Sequence, residues 1–252
     1  VFNAETPGIP HERFRPRVTQ VAKRLWGVYV FLTVLLIGLL WIGPMDLYDA
    51  VNHALTAIST GGYSTKNASI AYWHSAYIEY VITIFMFIGA TNITLIYFCL
   101  NGNIKKLFFD EEFRWFFWFV LIMTGITTGW IMYHGFFTDF PTAFRQAAFQ
   151  VVTLVSTCGF ATENYIPWGP FFWMIALILM FICGCAGSTC GGLKMGRFVI
   201  LSKNLFNEFK KQTHPHAIIP VRMDSHIVSG EVVHRVLAFA FAYMSLIVLS
   251  CA

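Results

Sequence analysis

Charge is the scarcest property of this sequence: Asp, Glu, Lys and Arg make up 12% of its 252 residues, against about 25% in an ordinary soluble domain. With 57% of residues hydrophobic and 17% aromatic, too little polar surface is left to clothe a globule in water, which excludes a soluble domain and makes a membrane the expected solvent. Acidic residues are missing from the cores of the long apolar runs. An ion-coupled secondary transporter would place them there to carry its coupling ion; coupling through backbone sites stays open as the alternative. No His or carboxylate lies at a spacing that would recruit a Ser or Thr within the bilayer, so a membrane-embedded enzyme lacks its acid/base set. The six cysteines, Cys99, Cys158, Cys183, Cys185, Cys190 and Cys251, form no CxxC pair with His at metal-ligand spacing, which removes zinc and disulfide frameworks. A signal-peptide pattern is also absent: Val1 to Arg24 is polar and does not begin with Met, so the start is expected to lie inside a longer protein.

The sequence does contain apolar runs of bilayer length. About 20 helical residues at about 1.5 Å each cross about 30 Å of hydrocarbon. Leu25 to Ile42, Tyr80 to Leu100, Trp115 to Tyr133, Phe171 to Cys185 and Val236 to Ala252 qualify. Basic residues mark the cytoplasmic side. They cluster before the first run (Arg13, Arg15, Arg17, Lys23, Arg24), around 105–114 (Lys105, Lys106, Arg114) and between Lys194 and Arg235, leaving only Lys66 and Arg145 elsewhere. The stretches 43–79 and 134–170 therefore read as external. The basic clusters enforce topology; Arg13 to Arg17 and Lys210 to Lys211 could also meet acidic lipid or a cytoplasmic partner. The aromatic run Phe113 to Phe119 is expected to anchor a helix at the interface and face lipid. His214 and His216, flanking Pro215, read as a solvated loop.

Each external stretch contains an apolar segment too short to span, Leu47 to Ile58 and Ala143 to Val155, which reads as a re-entrant helix. At an offset of 97 the stretches repeat: Pro44 pairs with Pro141, Ala50 with Ala147, Thr56 with Thr153, Ser59 with Ser156, Thr60 with Thr157, Gly62 with Gly159 and Thr65 with Thr162. The unit is span, short helix, Gly-containing loop, span. Irregular backbone at membrane depth is tolerated where it lines an aqueous path or is buried in protein. Backbone carbonyls can replace an ion's water shell, in conformations that Gly62 and Gly159 adopt at little cost. The short helix would aim its partly negative C-terminus at that path, favouring a cation. Tyr63 and Phe160 are expected to brace the loops from behind, and Glu163 and Asn164 either concentrate cations at the outer mouth or simply cap and solvate the chain. A second cluster, Gly184, Gly187, Ser188, Thr189, Gly191 and Gly192 followed by Lys194 and Arg197, predicts a broken helix; the alternative is a small-xxx-small packing face through Gly184 and Ser188.

These segments carry a family resemblance. Thr60 to Tyr63 (TGGY) resembles the TVGY of potassium-channel filters. With Ser156 to Tyr165 (STCGFATENY) and Gly184 to Lys194 (GCAGSTCGGLK), the chain resembles the second and third repeats of the Trk/Ktr/HKT cation-transporter superfamily, closest to its bacterial TrkH branch. Glu5 to Gly8 and His214 to Val221 resemble the links entering the second and fourth repeats. The resemblance implies an all-α membrane fold of span, pore-helix, filter-loop and span units around a pseudo-fourfold ion pore. Residues 1–112 would be one unit, with spans near 25–43 and 77–100 and a re-entrant helix near 46–58. Residues 113–212 would be the next, with a broken second span, and 213–252 a cytoplasmic link and the first span of another. It implies potassium uptake rather than an enzyme, with a Na+-conducting relative or ion-coupled symport as the alternative. K+ would be held by Thr60, Gly61, Gly62, Thr157, Cys158 and Gly159, with no organic cofactor, and Gly184, Gly187, Ser188, Thr189, Gly191, Gly192 and Lys194 would form a gating loop whose Lys194 sits near the cytoplasmic mouth. It further implies a homodimer in the bacterial inner membrane, surrounded by lipid, with a cytosolic nucleotide-binding regulatory subunit (TrkA-like) and no nucleic-acid partner.

Overall fold

The computed structural model describes residues 18–213, 219–224 and 226–251. Arg13, Arg15, Arg17, His214, His216 and the link Glu5 to Gly8 lie outside the described residues. Helix α1 (Val18–Ile42) is long enough to cross a bilayer. Its Leu32, Leu36 and Leu40, four residues apart and so on one face, are buried, whereas Trp26, Phe31, Val34 and Trp41 are exposed. The inner face packs on α2 (Leu47–Ile58), which contributes Ala50, His53, Ala54, Ala57 and Ile58. A 3-10 turn (Ser69–Trp73) leads into α3 (Ala76–Gly89), buried along Ile78, Ile82 and Met86.

The run Tyr80 to Leu100, read as one span, is two helices. After α3 the chain bends by 108° into α4 (Ile93–Leu100). The cause is local: the Asn92 side chain accepts the Thr94 N–H at 2.8 Å and starts a new helix, while the Thr91 hydroxyl donates to the Ile88 carbonyl at 2.6 Å and closes the old one. Hydropathy does not register a cap, so the break was invisible to it.

After the short α5 (Ile104–Phe109), Asp110 caps α6 (Glu111–Tyr133) by accepting the Phe113 N–H at 2.8 Å. The aromatic run opening α6 does not simply face lipid. Phe113 and Phe116 are buried and Phe117 and Trp118 exposed, because successive helical positions turn about 100° apart. Helix α7 (Phe140–Val155) packs against α6 and α3. Helix α8 (Gly169–Phe181) stops at the Gly-rich cluster, and α9 (Met195–Thr213) resumes beyond it. Two-residue strands β1 (Ile182–Cys183) and β2 (Leu193–Lys194) pair in parallel across the root of that interruption. Another small pair, β3 (Arg222–Met223) and β4 (His226–Ile227), precedes α10 (Gly230–Cys251). Helices α1, α6 and α10 each contain a stretch long and apolar enough to cross a membrane, and the bent α3–α4 pair qualifies together.

The two basic residues of the stretches read as external are both paired. Lys66 lies 3.3 Å from Asp49, and Arg145 lies 2.7 Å from Glu79, which also accepts from Gln146 at 3.1 Å. The second set joins α3 to α7. Replacing Arg145 with Ala strands a buried carboxylate. For the full-length protein in detergent, a loss of about 2 kcal/mol is expected, below that of a wholly buried pair because Arg145 is partly exposed. The loss should appear as a lower thermal midpoint and be largely restored in the Glu79→Gln, Arg145→Ala double variant; no recovery there would mean that Arg145 acts through packing alone.

Candidate ion site and the loop beneath it

Helices α2 and α7 end identically. Ser59 and Ser156 keep right-handed helical backbone (φ −77°, ψ −2° and φ −79°, ψ −5°). Thr60 and Thr157 then turn left-handed (φ 54° and 57°), and Gly62 and Gly159 do so again (φ 66° and 86°). A β-branched residue in that region is strained, and the strain is offset by repeated hydrogen bonds. The N–H groups of Gly61 and Gly62 both turn back to the Thr56 carbonyl (2.8 and 3.3 Å), and those of Cys158 and Gly159 to the Thr153 carbonyl (3.1 and 3.3 Å). The Thr56 hydroxyl donates to the Tyr63 carbonyl at 2.8 Å, as Thr153 does to Phe160 at 3.0 Å. Thr65 donates to Asp49 at 2.6 Å, and Thr162 to Gln146 at 2.5 Å. In a trans peptide the C=O opposes the N–H. With the glycine and cysteine N–H groups aimed at the helix ends, the carbonyls of Thr60, Gly61, Thr157 and Cys158 therefore point away from them.

The two loops touch. A Cβ on Gly62 would fall 1.7 Å from the Cys158 carbonyl oxygen, so only glycine admits this approach. Across the outer surface the Ala71 N–H donates to the Ala161 carbonyl (3.1 Å), and the Ala161 N–H to Ser69 Oγ (3.2 Å). Cys158 Sγ lies 3.6 Å from the Ala57 carbonyl, so the thiol faces α2 and not the loop's carbonyl side. Phe160 is buried and lies over His53 with ring centroids 5.9 Å apart, whereas Tyr63 is 79% exposed within this chain. His53 takes the supporting place in the first loop. Its Nδ1 meets the Asp49 carbonyl at 2.7 Å, which can only accept, so Nδ1 carries the proton and Nε2 receives the Ser64 hydroxyl at 2.8 Å. Burial alone would raise the Asp49 carboxyl, but the Thr65 hydroxyl and Lys66 ammonium hold it below its ordinary value. Glu163 and Asn164 border a surface cleft of about 340 Å³ shared with Asn67 and His74. There Asn164 caps the following turn through the Ile166 N–H at 3.1 Å.

The Gly-rich cluster is a loop, not a helix-packing face, and it sits against both Thr-Gly loops. Thr189 donates to the Ile58 carbonyl at 3.0 Å, and the Thr60 hydroxyl reaches the Thr189 carbonyl at 3.1 Å. The Gly191 N–H donates to Thr157 Oγ1 at 3.2 Å. The loop also interlocks with the α3–α4 break. Cys185 N–H donates to the Ala90 carbonyl (2.8 Å), Ile93 N–H to the Gly187 carbonyl (3.3 Å), and a Cβ on Gly184 would meet the Ala90 oxygen at 2.5 Å. Lys194, expected near a cytoplasmic mouth, is instead buried in the loop, its ammonium donating to the Ser188 carbonyl at 3.2 Å and to the Cys190 carbonyl.

Sequence reasoning singled out the Thr-Gly positions and the Gly-rich cluster but missed the supports: Asp49, His53, Gln146, Glu79 and Glu112. Asp49 and Gln146 carried a usable signal, being polar residues at the same offset of 97, each sixteen positions before a matching Thr. Glu112 carried none, since an acidic residue in a helix's first turn is ordinary. The close contact at Gly62 separates two costs. Gly135→Ala, also at positive φ (70°) but with open space around it, should lose only about 1 kcal/mol of conformational cost. Gly62→Ala should lower the thermal midpoint of the full-length protein several times further; equal losses would show that the loops do not meet at that point.

A family model for TrkH, described as a cation transport protein, matches residues 12–252. The Trk system potassium uptake protein TrkH of Salmonella typhimurium is 35% identical over 252 residues, covering 99% of this chain and 52% of the relative. The Trk system potassium uptake protein TrkG of Escherichia coli is 32% identical over 247 residues, covering 96% and 51%. The crystal structure of the potassium transporter TrkH from Vibrio parahaemolyticus superposes with a TM-score of 0.90 at 31% identity, covering 99% of this chain and 54% of that one. The chain thus spans about half the length of the curated relatives it matches. With its bilayer-length apolar helices, two matching loop-ended short helices and an interrupted third segment, this multi-pass membrane chain belongs to the TrkH family of cation transport proteins.

Proposed function

We propose that this chain supplies two pore-lining units of a potassium uptake protein, residues 1–112 and 113–212, with residues 213–252 leading into a further unit. The observation that carries the reading is the pair of loops with the same dihedral sequence and the same return hydrogen bonds, in contact at Gly62 and Cys158. Carbonyls of Thr60, Gly61, Gly62, Thr157, Cys158 and Gly159 replace part of the hydration shell of K+, and the complementary segments of the whole protein complete the ring. Carbonyl oxygens suit a hard monovalent cation and need no side-chain charge. The negative ends of α2 and α7 add a cation-favouring potential.

In this reading the loop Gly184, Gly187, Ser188, Thr189, Gly191, Gly192 and Lys194 obstructs the path beneath the filter and moves aside to admit ions. Its support is the set of hydrogen bonds from Thr189 to the end of α2, from Thr60 to Thr189 and from Gly191 to Thr157. No bond is made or broken in transport, so the protein is a conduit and not an enzyme. The printed names of the relatives, Trk system potassium uptake proteins, support K+ as the ion, the bacterial inner membrane as the location and further Trk components as partners. A homodimer with a TrkA-like nucleotide-binding subunit on its cytoplasmic face belongs to the same proposal.

The test is flux through the full-length protein in liposomes with K+, Rb+, Na+ and Li+, with and without Gly159→Ser. Preferred passage of K+ and Rb+ is expected. The substitution places a side chain at φ 86° and should cut that preference about tenfold, equivalent to about 1.4 kcal/mol. Flux of no cation, or a preference untouched by the substitution, would remove the filter assignment.

A further inference from the structure

The Gly-rich loop is closed on itself. Its root is zipped by the β1–β2 pairing and by the Met195 N–H donating to the Gly184 carbonyl at 3.0 Å, and its turn is tied back to the root by Lys194. A segment closed in this way moves as a unit. Its position is decided by the groups that hold it from outside.

Most of those outside contacts are neutral bonds from hydroxyls or backbone, to Thr60, Thr157, Ile58, Ala90 and Ile93. One is a carboxylate. Glu112, in the first turn of α6, is 1% exposed, and its Oε1 accepts two backbone N–H groups: Ala186 at 2.6 Å, just inside the loop's start, and Gly196 at 2.7 Å, just past its end. The nine residues between Ala186 and Gly196 are thus anchored at both ends to one oxygen atom on a different helix. Gly196 is required by this arrangement, since a Cβ there would stand 2.9 Å from the same oxygen. Both bonds are at the short end of the N–H···O range, and both end on the same acceptor oxygen.

We propose that Glu112 is a positioning residue for permeation: a two-point latch whose carboxylate holds both ends of the loop in its obstructing place, so that opening requires both bonds to Oε1 to be released. The proposal rests on the reading of this loop as the gate. Because α6 follows directly from α4 and α5, a shift of the cytoplasmic end of α6 would withdraw the latch from both ends of the loop at once.

The experiment uses full-length protein in liposomes and two readouts. One is K+ and Na+ flux. The other is alkylation of the buried Cys190 in the loop, located by peptide mass spectrometry and referenced to the partly exposed Cys99. Glu112→Gln keeps size but offers a single amide oxygen beside an NH2 group that can only donate; Gly196→Ala keeps the carboxyl and pushes it away. Each should raise K+ flux and Cys190 alkylation on the order of tenfold, with the K+/Na+ ratio unchanged because the filter is not touched. A variant lacking residues 186–192 separates the failures. If it raises flux while the Glu112 and Gly196 variants change neither readout, the latch is wrong and the gate stands. If it leaves flux unchanged, the gate reading fails and the latch with it. Flux and selectivity falling together in the Glu112 and Gly196 variants would make Glu112 a structural support and overturn the proposal.

Discussion

A peptide N–H or C=O between membrane spans has no water to fall back on, and every departure from the helix must find its partners within the protein. Among the described residues, four departures from the helix meet at the candidate site: after α2, after α7, between α3 and α4, and between α8 and α9. The first two are handled internally, by returning N–H groups to the last helical turn and by threonine hydroxyls that catch the next free carbonyls. The other two solve the problem for each other. The Ala90 carbonyl takes the Cys185 N–H, and the Gly187 carbonyl takes the Ile93 N–H, so two broken helices are satisfied by interlocking.

That shared accounting explains the distribution of small and hydroxylated residues. Thr60, Thr157 and Thr189 sit at the seams between the three loops: the Thr60 and Thr189 hydroxyls donate to carbonyls of a neighbouring segment, and Thr157 Oγ1 accepts the Gly191 N–H. Glycine appears where two backbones approach too closely for a Cβ: Gly62 against Cys158, and Gly184 against Ala90. The few buried charges follow the same rule. Asp49 is met by Thr65 and Lys66, Glu79 by Arg145 and Gln146, and Glu112 by two backbone N–H groups. Each buried carboxylate joins segments distant in sequence, and each desolvation cost is offset only while those segments stay together.

Much of the fold was legible in the sequence because a bilayer imposes a length and a polarity on what crosses it. The spans of α1, α6 and α10, the short helices α2 and α7, and the repeat that relates the loops all follow from run length, charge placement and an offset of 97. The bend at Asn92 was not legible, because capping is a matter of one side chain and hydropathy averages over many. Tyr63 and Phe160 were both expected to brace their loops; Phe160 is buried against His53 while Tyr63 is exposed, so equivalent positions share a backbone but not the same neighbours within this chain. Lys194 was placed near the cytoplasmic mouth by the family resemblance; in the structure its ammonium is met by the Ser188 and Cys190 carbonyls of the loop itself.

The sequence by itself determined what recurs locally: which segments are apolar enough to span, where each short helix ends, and that both ends carry the same Thr-x-Gly turn. These are properties of consecutive residues and of their solvent. Only the tertiary structure decided that the Gly-rich loop lies against both turns, that a second broken helix supports it, and that Glu112 anchors its two ends. Those contacts join residues some 30 to 130 positions apart, and a hydrogen bond leaves no periodicity in the chain to mark its distant partner.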